Sequence, residues 1–175
     1  MPKRIEVIIG GHGGQGVVLA GQILGKAAAF EGKNVVQTQS YGAEARGSLT
    51  KSEVIISDSR IGFPAVRRCD VLVAMNQESL DKYLPLLKDD GTLIVDSGVE
   101  KIPEVKAQMY KVPAVETAKK AFGESLFANM VILGALVKIT RMVSVESMEK
   151  SIRESVSEKT LEMNLNAFRK GLQLV

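Results

Sequence analysis

The chain has 175 residues, 45% hydrophobic and 25% charged, with a formal net charge of +3. That length fills one core and is short for two, so residues 1–175 read as a single domain. The charge is small and scattered: pairs such as Arg67-Arg68 and Lys119-Lys120 read as solvated surface, which argues against a nucleic-acid partner, and the longest apolar stretch, Met130 to Val137, is too short to span a bilayer.

Met1-Pro2-Lys3-Arg4 leads directly into the β-branched run Ile5–Ile9 without a secretory pattern, which fits a cytoplasmic protein. Further strand-like runs are predicted at Val35–Thr38, Val54–Ser57, Val71–Met75 and Thr92–Asp96, with a weaker one at Gln108–Val112. Helices are predicted over Val17–Glu31, closed by Gly32, and over Gln77–Leu87, with Gly91 as the turn before Thr92. Short apolar strands alternating with helices predict an α/β fold, a mostly parallel sheet with helices on both faces. Cys69, the one cysteine, stands at the entrance of the fourth strand as a half-buried residue. It excludes an internal disulfide, and it excludes an iron–sulfur cluster held by this chain alone.

The C-terminal part is helical. Pro113 opens a helix that runs to Phe122 and stops at Gly123; Ser125 and Ser144 are candidate caps for the next two. Val145, Met148, Ile152 and Val156 share one helical face, as do Leu161, Leu165, Phe168 and Leu172. Both stripes read as packing against the sheet.

Gly10-Gly11-His12-Gly13-Gly14-Gln15-Gly16 follows the first strand and precedes the apolar start of the first helix. Clustered glycines between strand and helix aim backbone N–H groups and a helix N-terminus at one spot, a setting for an anion or phosphate. The spacing Gly11-x-Gly13-x-x-Gly16 also satisfies the dinucleotide-binding pattern. That pattern needs an acidic residue at the end of the second strand. The sequence there is Gln37-Thr38-Gln39-Ser40, and Glu31 comes too early to serve. His12 is the only histidine, so neither a serine–histidine catalytic set nor a structural zinc site can be assembled elsewhere.

The segment after the second strand, Ser40-Tyr41-Gly42-Ala43-Glu44-Ala45-Arg46-Gly47-Ser48, is dense in hydroxyl, phenol, carboxylate and guanidinium groups. In a doubly wound sheet it follows the same edge as the glycine turn, so the two segments rim one crevice. Arg46 can take phosphate or carboxylate in a bidentate contact, with Glu44 to orient it.

These two motifs together resemble the gamma subunit of the 2-oxoacid:ferredoxin oxidoreductases. The likeness continues through Asp70-Val71-Leu72-Val73-Ala74 and the Asn129-to-Leu136 helix. Ser48 departs from a second glycine that commonly follows Arg-Gly. The form Ser-Tyr-Gly-x-Glu-x-Arg is closer to the 2-oxoglutarate and branched-chain members than to the pyruvate ones. The resemblance implies a Rossmann-like domain in an enzyme that converts a 2-oxoacid and coenzyme A into acyl-CoA and carbon dioxide. It implies that alpha and beta subunits, and a ferredoxin-like delta subunit where one exists, carry thiamine diphosphate, magnesium and the iron–sulfur clusters. Ferredoxin is the electron acceptor of such a complex, and the gamma chain alone is inactive. Gly11, His12, Gly13, Gly14, Gln15 and Gly16, with Ser40, Tyr41, Glu44 and Arg46, are then the candidate contacts for coenzyme A, with no catalytic residue and no metal ligand in this chain. The alternatives are a stand-alone nucleotide-binding protein or dehydrogenase using the Gly11-x-Gly13-x-x-Gly16 turn, and a scaffold whose glycines serve only close packing.

Overall fold

The computed structural model describes residues 3–42 and 48–175. Six strands form one sheet: β1 (Arg4–His12), β2 (Asn34–Tyr41), β3 (Leu49–Ser57), β4 (Cys69–Ala74), β5 (Leu87–Asp96) and β6 (Gln108–Val112), in the order β2-β3-β1-β4-β5-β6. The pairs β1·β4, β4·β5 and β5·β6 are parallel, and β3 runs antiparallel to both its neighbours. Five strands therefore point one way. The mostly parallel sheet predicted from the sequence is present, with one reversed strand inserted between β1 and β2.

Helices lie on both faces, unevenly. Val7, Ile9, Val54, Ile56, Val71, Val73 and Ile94 share one apolar cluster with α1 (Val17–Phe30), α3 (Ala114–Phe122), α4 (Ala128–Thr140), α5 (Val145–Ser155) and α6 (Glu158–Leu172). Alternate residues Ile8, Ile55, Leu72, Leu93 and Val95 join α2 (Gln77–Tyr83) and the β5–β6 connection on the other face. This follows from the period-two alternation of strand side chains, with both faces apolar because both are covered. The predicted stripes of α5 and α6 are buried here through Met148, Ile152, Leu165 and Phe168.

Four local expectations change. The helix predicted over Gln77–Leu87 ends at Tyr83; Pro85 sits in a short 3-10 turn, and Leu87 already belongs to β5. Gly91 lies inside β5 rather than in a turn before it, because a Cβ there would stand 2.7 Å from the Asp70 carbonyl of β4. Ser125 opens a 3-10 turn ahead of α4 and caps nothing with its side chain, whereas Ser144 accepts from the Ser147 N–H at 3.1 Å as expected. Cys69 is fully buried, and desolvation pushes its thiol up to about 12. Gly32 and Gly123 close their helices in the left-handed conformation, which glycine adopts without a Cβ penalty.

Candidate functional site

From β1 the chain crosses through α1 to β2 on one side; from β4 it crosses through α2 to β5 on the other. The strand order thus reverses between β1 and β4, and the carboxyl ends of these two strands mark the topological switch point at which α/β sheets bind ligands. The glycine segment stands at that point.

The first glycines belong to the strand. A Cβ on Gly10 would meet Ser79 Cβ at 2.8 Å and Tyr83 at 2.9 Å; one on Gly11 would meet Gln15 Oε1 and Val17 Cγ2 at 2.8 Å. These two glycines let α2 and the start of α1 close down on β1. The turn itself is Gly13–Gly16. Gly14 has φ 91° with open space around it, and Gly16 has φ 73° with the side chain of Asn129 where a Cβ would project.

Gln15 holds the turn from inside. Its Oε1 accepts from the His12 N–H at 2.7 Å and from Asn76 Nδ2 at 3.3 Å. Asn76 in turn caps α2 through Oδ1, which accepts from the Ser79 N–H at 2.8 Å. Asn129 Nδ2 donates to the Gly16 carbonyl at 3.3 Å, and the Gly13 N–H donates to the Ser48 carbonyl at 2.8 Å. The turn is therefore fixed from three directions, by α2, by α4 and by the start of β3. His12 closes β1 with its ring half exposed and Nε2 2.9 Å from Glu78 Oε2 at the start of α2.

The N–H groups of Gly14, Gly16, Val17, Val18 and Leu19 meet no acceptor among the described residues, and the Gly16 N-cap offers no side chain to them. Five donors without an acceptor at a helix start are groups of the kind that an anion can satisfy. Beside them is a cavity of about 270 Å³ whose walls include Leu19, Leu126, Phe127 and Val156, with Asn129, Thr160 and Asn164 as polar members. Asn164 is almost wholly buried; its Nδ2 donates to the Thr160 carbonyl at 2.9 Å, and no described donor reaches its Oδ1.

Of the predicted site residues, the structure brings Gly11 to Gly16 to this edge and places Ser40 and Tyr41 at the end of β2 on the same edge. Tyr41 is paired with Thr50, beside the Leu49–His12 pair, and is well exposed. Glu44 and Arg46 lie outside the described residues. Sequence reasoning missed Asn76, Glu78, Asn129 and Asn164. The spacing Asn76-x-x-Ser79 is a readable capping signal; the other three come from remote segments and carry none.

Fold and site together define a doubly wound α/β protein with a glycine turn and free helix-start donors at its topological switch point. Residues 6–174 match the pyruvate ferredoxin/flavodoxin oxidoreductase family, and the chain belongs to it. It is 49% identical to the 2-oxoglutarate synthase subunit KorC of Methanocaldococcus jannaschii, over 98% of this chain and 94% of that one. Among solved structures it is similar to the gamma subunit of the keto/oxoacid ferredoxin oxidoreductase of Geobacter sulfurreducens, at 42% identity and TM-score 0.89, covering 98% of this chain and 96% of that chain. It also matches the 2-oxoglutarate:ferredoxin oxidoreductase of Magnetococcus marinus, solved with 2-oxoglutarate, coenzyme A and succinyl-CoA bound, at 26% identity and TM-score 0.89, covering 98% of this chain and 31% of that longer one. The gamma-subunit resemblance read from the sequence is borne out, and these likenesses do not favour a stand-alone dehydrogenase. Among the described residues no helix is long and apolar enough to cross a membrane.

Proposed function

We propose that the chain is the gamma subunit of a 2-oxoacid:ferredoxin oxidoreductase of the 2-oxoglutarate type. The observation that carries this reading is the near full-length identity to a 2-oxoglutarate synthase subunit. The assembled enzyme joins a 2-oxoacid and coenzyme A into acyl-CoA and carbon dioxide and passes the electrons to ferredoxin.

Thiamine diphosphate with magnesium, and the iron–sulfur clusters, would supply the decarboxylation and electron transfer from the partner subunits, alpha and beta and, where one exists, a ferredoxin-like delta. The residues here fit that division. A cluster needs several thiolates, and the chain has one cysteine, whose thiol is buried and held protonated. What this chain offers is binding and orientation of coenzyme A. The Gly14 to Leu19 donors suit a diphosphate, since they need no reorganisation and stand at the positive end of α1. Gly14 supports close approach, because the space that a Cβ would fill is empty. Ser40 and Tyr41, at the end of β2, are assigned to the same site, and Arg46, which follows them in sequence with Glu44, is the proposed side-chain cation for a phosphate.

Native purification from the source, followed by mass spectrometry, tests the reading. Recovery with larger subunits, thiamine diphosphate and iron is the expected result; recovery of the chain alone, under conditions that preserve such complexes, overturns it. Hydrogen exchange of the complex with and without coenzyme A then tests the cradle. Slower exchange at Gly14 to Leu19 is expected, and unchanged exchange there removes the cradle from the site.

A further inference from the structure

At the opposite, amino edge of the sheet lies a surface that the fold does not require. β3 ends at Ser57, in register with Arg4 of β1, and the chain returns to β4 at Cys69 through an irregular connection. Phe63 in that connection is 49% exposed. A free aromatic ring on a loop ordinarily tucks against the core to bury its area. Here it is held outward. The Arg67 guanidinium stacks 4.5 Å from the ring centroid, and Arg4 Nη2 donates to the Phe63 carbonyl at 3.4 Å.

The base of the loop is anchored as firmly. Val66 is buried and its N–H donates to Glu53 Oε2 at 3.1 Å; Arg68 Nη2 donates to the Leu87 carbonyl at 3.0 Å. Binding through such a surface orders little that is not already ordered.

The unpaired charges of this connection and its end are positive, with Arg67 on the ring itself and Arg60 and Arg68 flanking it in sequence. Arg60, Arg67 and Arg68 are exposed, and none forms an ion pair among the described residues, whereas Arg4, Arg153 and Arg169 each do. Most carboxylates nearby are already matched, Glu6 with Arg4, Glu53 with Lys51, Asp58 with Lys33 and Asp70 with Lys88, and Asp90 is the one left without an ion pair beside Lys88 among the described residues. An exposed aromatic stacked on an arginine without an ion pair, on a loop that carries two more, is the composition that interface anchors favour.

We propose that this loop is a docking surface for another subunit of the same oxidoreductase, one that presents an apolar pocket for Phe63 rimmed by carboxylates for Arg60, Arg67 and Arg68. The inference rests on the gamma-subunit reading. The charge sign selects an acidic partner. Three arginines on a chain of net charge +3 give too local a field for a polyanion such as nucleic acid, but enough for bidentate carboxylate pairing around one anchor.

The test uses the remaining purified subunits of the enzyme and the full-length chain as wild type, Phe63→Ala and the double variant Arg60→Glu/Arg67→Glu. Each variant's thermal melt by circular dichroism establishes that it folds. Both variants are expected to bind the other subunits at least tenfold more weakly than wild type. Hydroxyl-radical oxidation of Phe63 is expected to fall severalfold when the wild-type chain is assembled, a readout that needs no variant. Unchanged affinity of folded variants, with equal oxidation of free and assembled Phe63, overturns the proposal and leaves the gamma-subunit reading intact. Failure of the wild-type chain to join the other subunits at all defeats that reading instead. Self-association of the chain, or binding to duplex DNA, that the variants abolish would assign the surface to a different occupant and overturn the acidic-subunit proposal.

Discussion

The Gly13 N–H donates to the Ser48 carbonyl across 2.8 Å, so the glycine turn and the segment returning from the second polar loop are joined directly. Thr50 Oγ1 donates to the same carbonyl at 3.3 Å, and on the other side of β3 the Gly42 N–H donates to the Leu49 carbonyl at 2.8 Å. The two motifs that carried the family resemblance therefore share a hydrogen-bonded frame, although more than 30 residues of sequence separate Gly13 from Ser48. The reversed strand β3 makes this possible. It starts at the edge where β1 and β2 both end.

Within the turn, two glycines with left-handed φ differ in what surrounds them. Gly16→Ala forces an L-residue to φ 73° and drives its Cβ into Asn129. It is expected to destabilise the chain by more than the ~1–2 kcal/mol of the backbone penalty alone. Gly14→Ala meets open space and is expected to cost only about that penalty while narrowing the cradle. Urea unfolding should rank Gly16→Ala well below Gly14→Ala. Calorimetry of the assembled Gly14→Ala enzyme should show coenzyme A affinity reduced about tenfold, and unchanged affinity would take Gly14 out of the contact.

A second pair of glycines sets the helical layer. A Cβ on Gly134 of α4 would overlap the Phe168 carbonyl of α6 and come within 2.8 Å of the Leu172 N; a Cβ on Gly171 would overlap the Val131 carbonyl. Here backbone meets backbone, so no flexible side chain can yield. Gly134→Ala should prise α4 from α6 and destabilise by at least ~2 kcal/mol, at the upper part of the range for overpacked cores. A midpoint within error of wild type in a denaturant titration would contradict this.

Cys69 is buried at the start of β4, and desolvation, with Asp70 and Glu6 nearby, pushes its thiol up to about 12. The thiolate is the reactive species, so native protein at pH 8 should resist iodoacetamide and react only after unfolding. Stoichiometric alkylation of the folded chain within minutes would show that the site opens readily.

Glu149 on α5 pairs with Arg169 on α6, with Nε 2.8 Å from Oε1. That hydrogen bond lowers the Glu149 pKa below its ordinary 4.5, against partial desolvation and with help from the Arg169 and Arg153 charges. A depressed carboxyl pKa stabilises the fold above the unfolded value and ceases to do so as the pH falls through the folded value. The pair should contribute below ~1 kcal/mol, because Arg169 is substantially exposed. Glu149→Gln should therefore lower stability slightly at pH 7 and flatten its decline below about pH 4.5. A parallel pH profile for wild type and variant would refute the linkage.

How much of this was legible in the sequence depends on range. The β1–turn–α1 unit and the helix ends at Gly32, Gly123 and Ser144 were readable, because each rests on neighbouring residues. Strand direction was not: nothing in Leu49–Ser57 marks it as the antiparallel member, since buried strands of either sense read as the same apolar run. The extension of β1 through Gly10 and Gly11 was hidden for a related reason. Those glycines are required by Ser79, Tyr83 and Val17, and a local reading assigns them to the turn. The His12–Glu78 pair and the Asn129 contact to Gly16 join residues 66 and 113 positions apart, beyond any periodicity.

The second polar loop gives the sharpest functional prediction. Ser40 and Tyr41 end β2 at the edge of the glycine turn, and Glu44 and Arg46 follow in sequence. A guanidinium there would add charge-assisted, bidentate contacts to the neutral N–H donors of the cradle, and such contacts are about twice as strong as neutral ones. The double variant Glu44→Ala/Arg46→Ala in the assembled enzyme is expected to reduce acyl-CoA formation at least tenfold at limiting coenzyme A. Under the proposed coenzyme A contact, raising the coenzyme A concentration should restore part of the rate, because a loss of binding is relieved by mass action. A rate deficit that coenzyme A cannot relieve would point to assembly instead. Full activity with unchanged coenzyme A dependence would remove both residues from the proposed site.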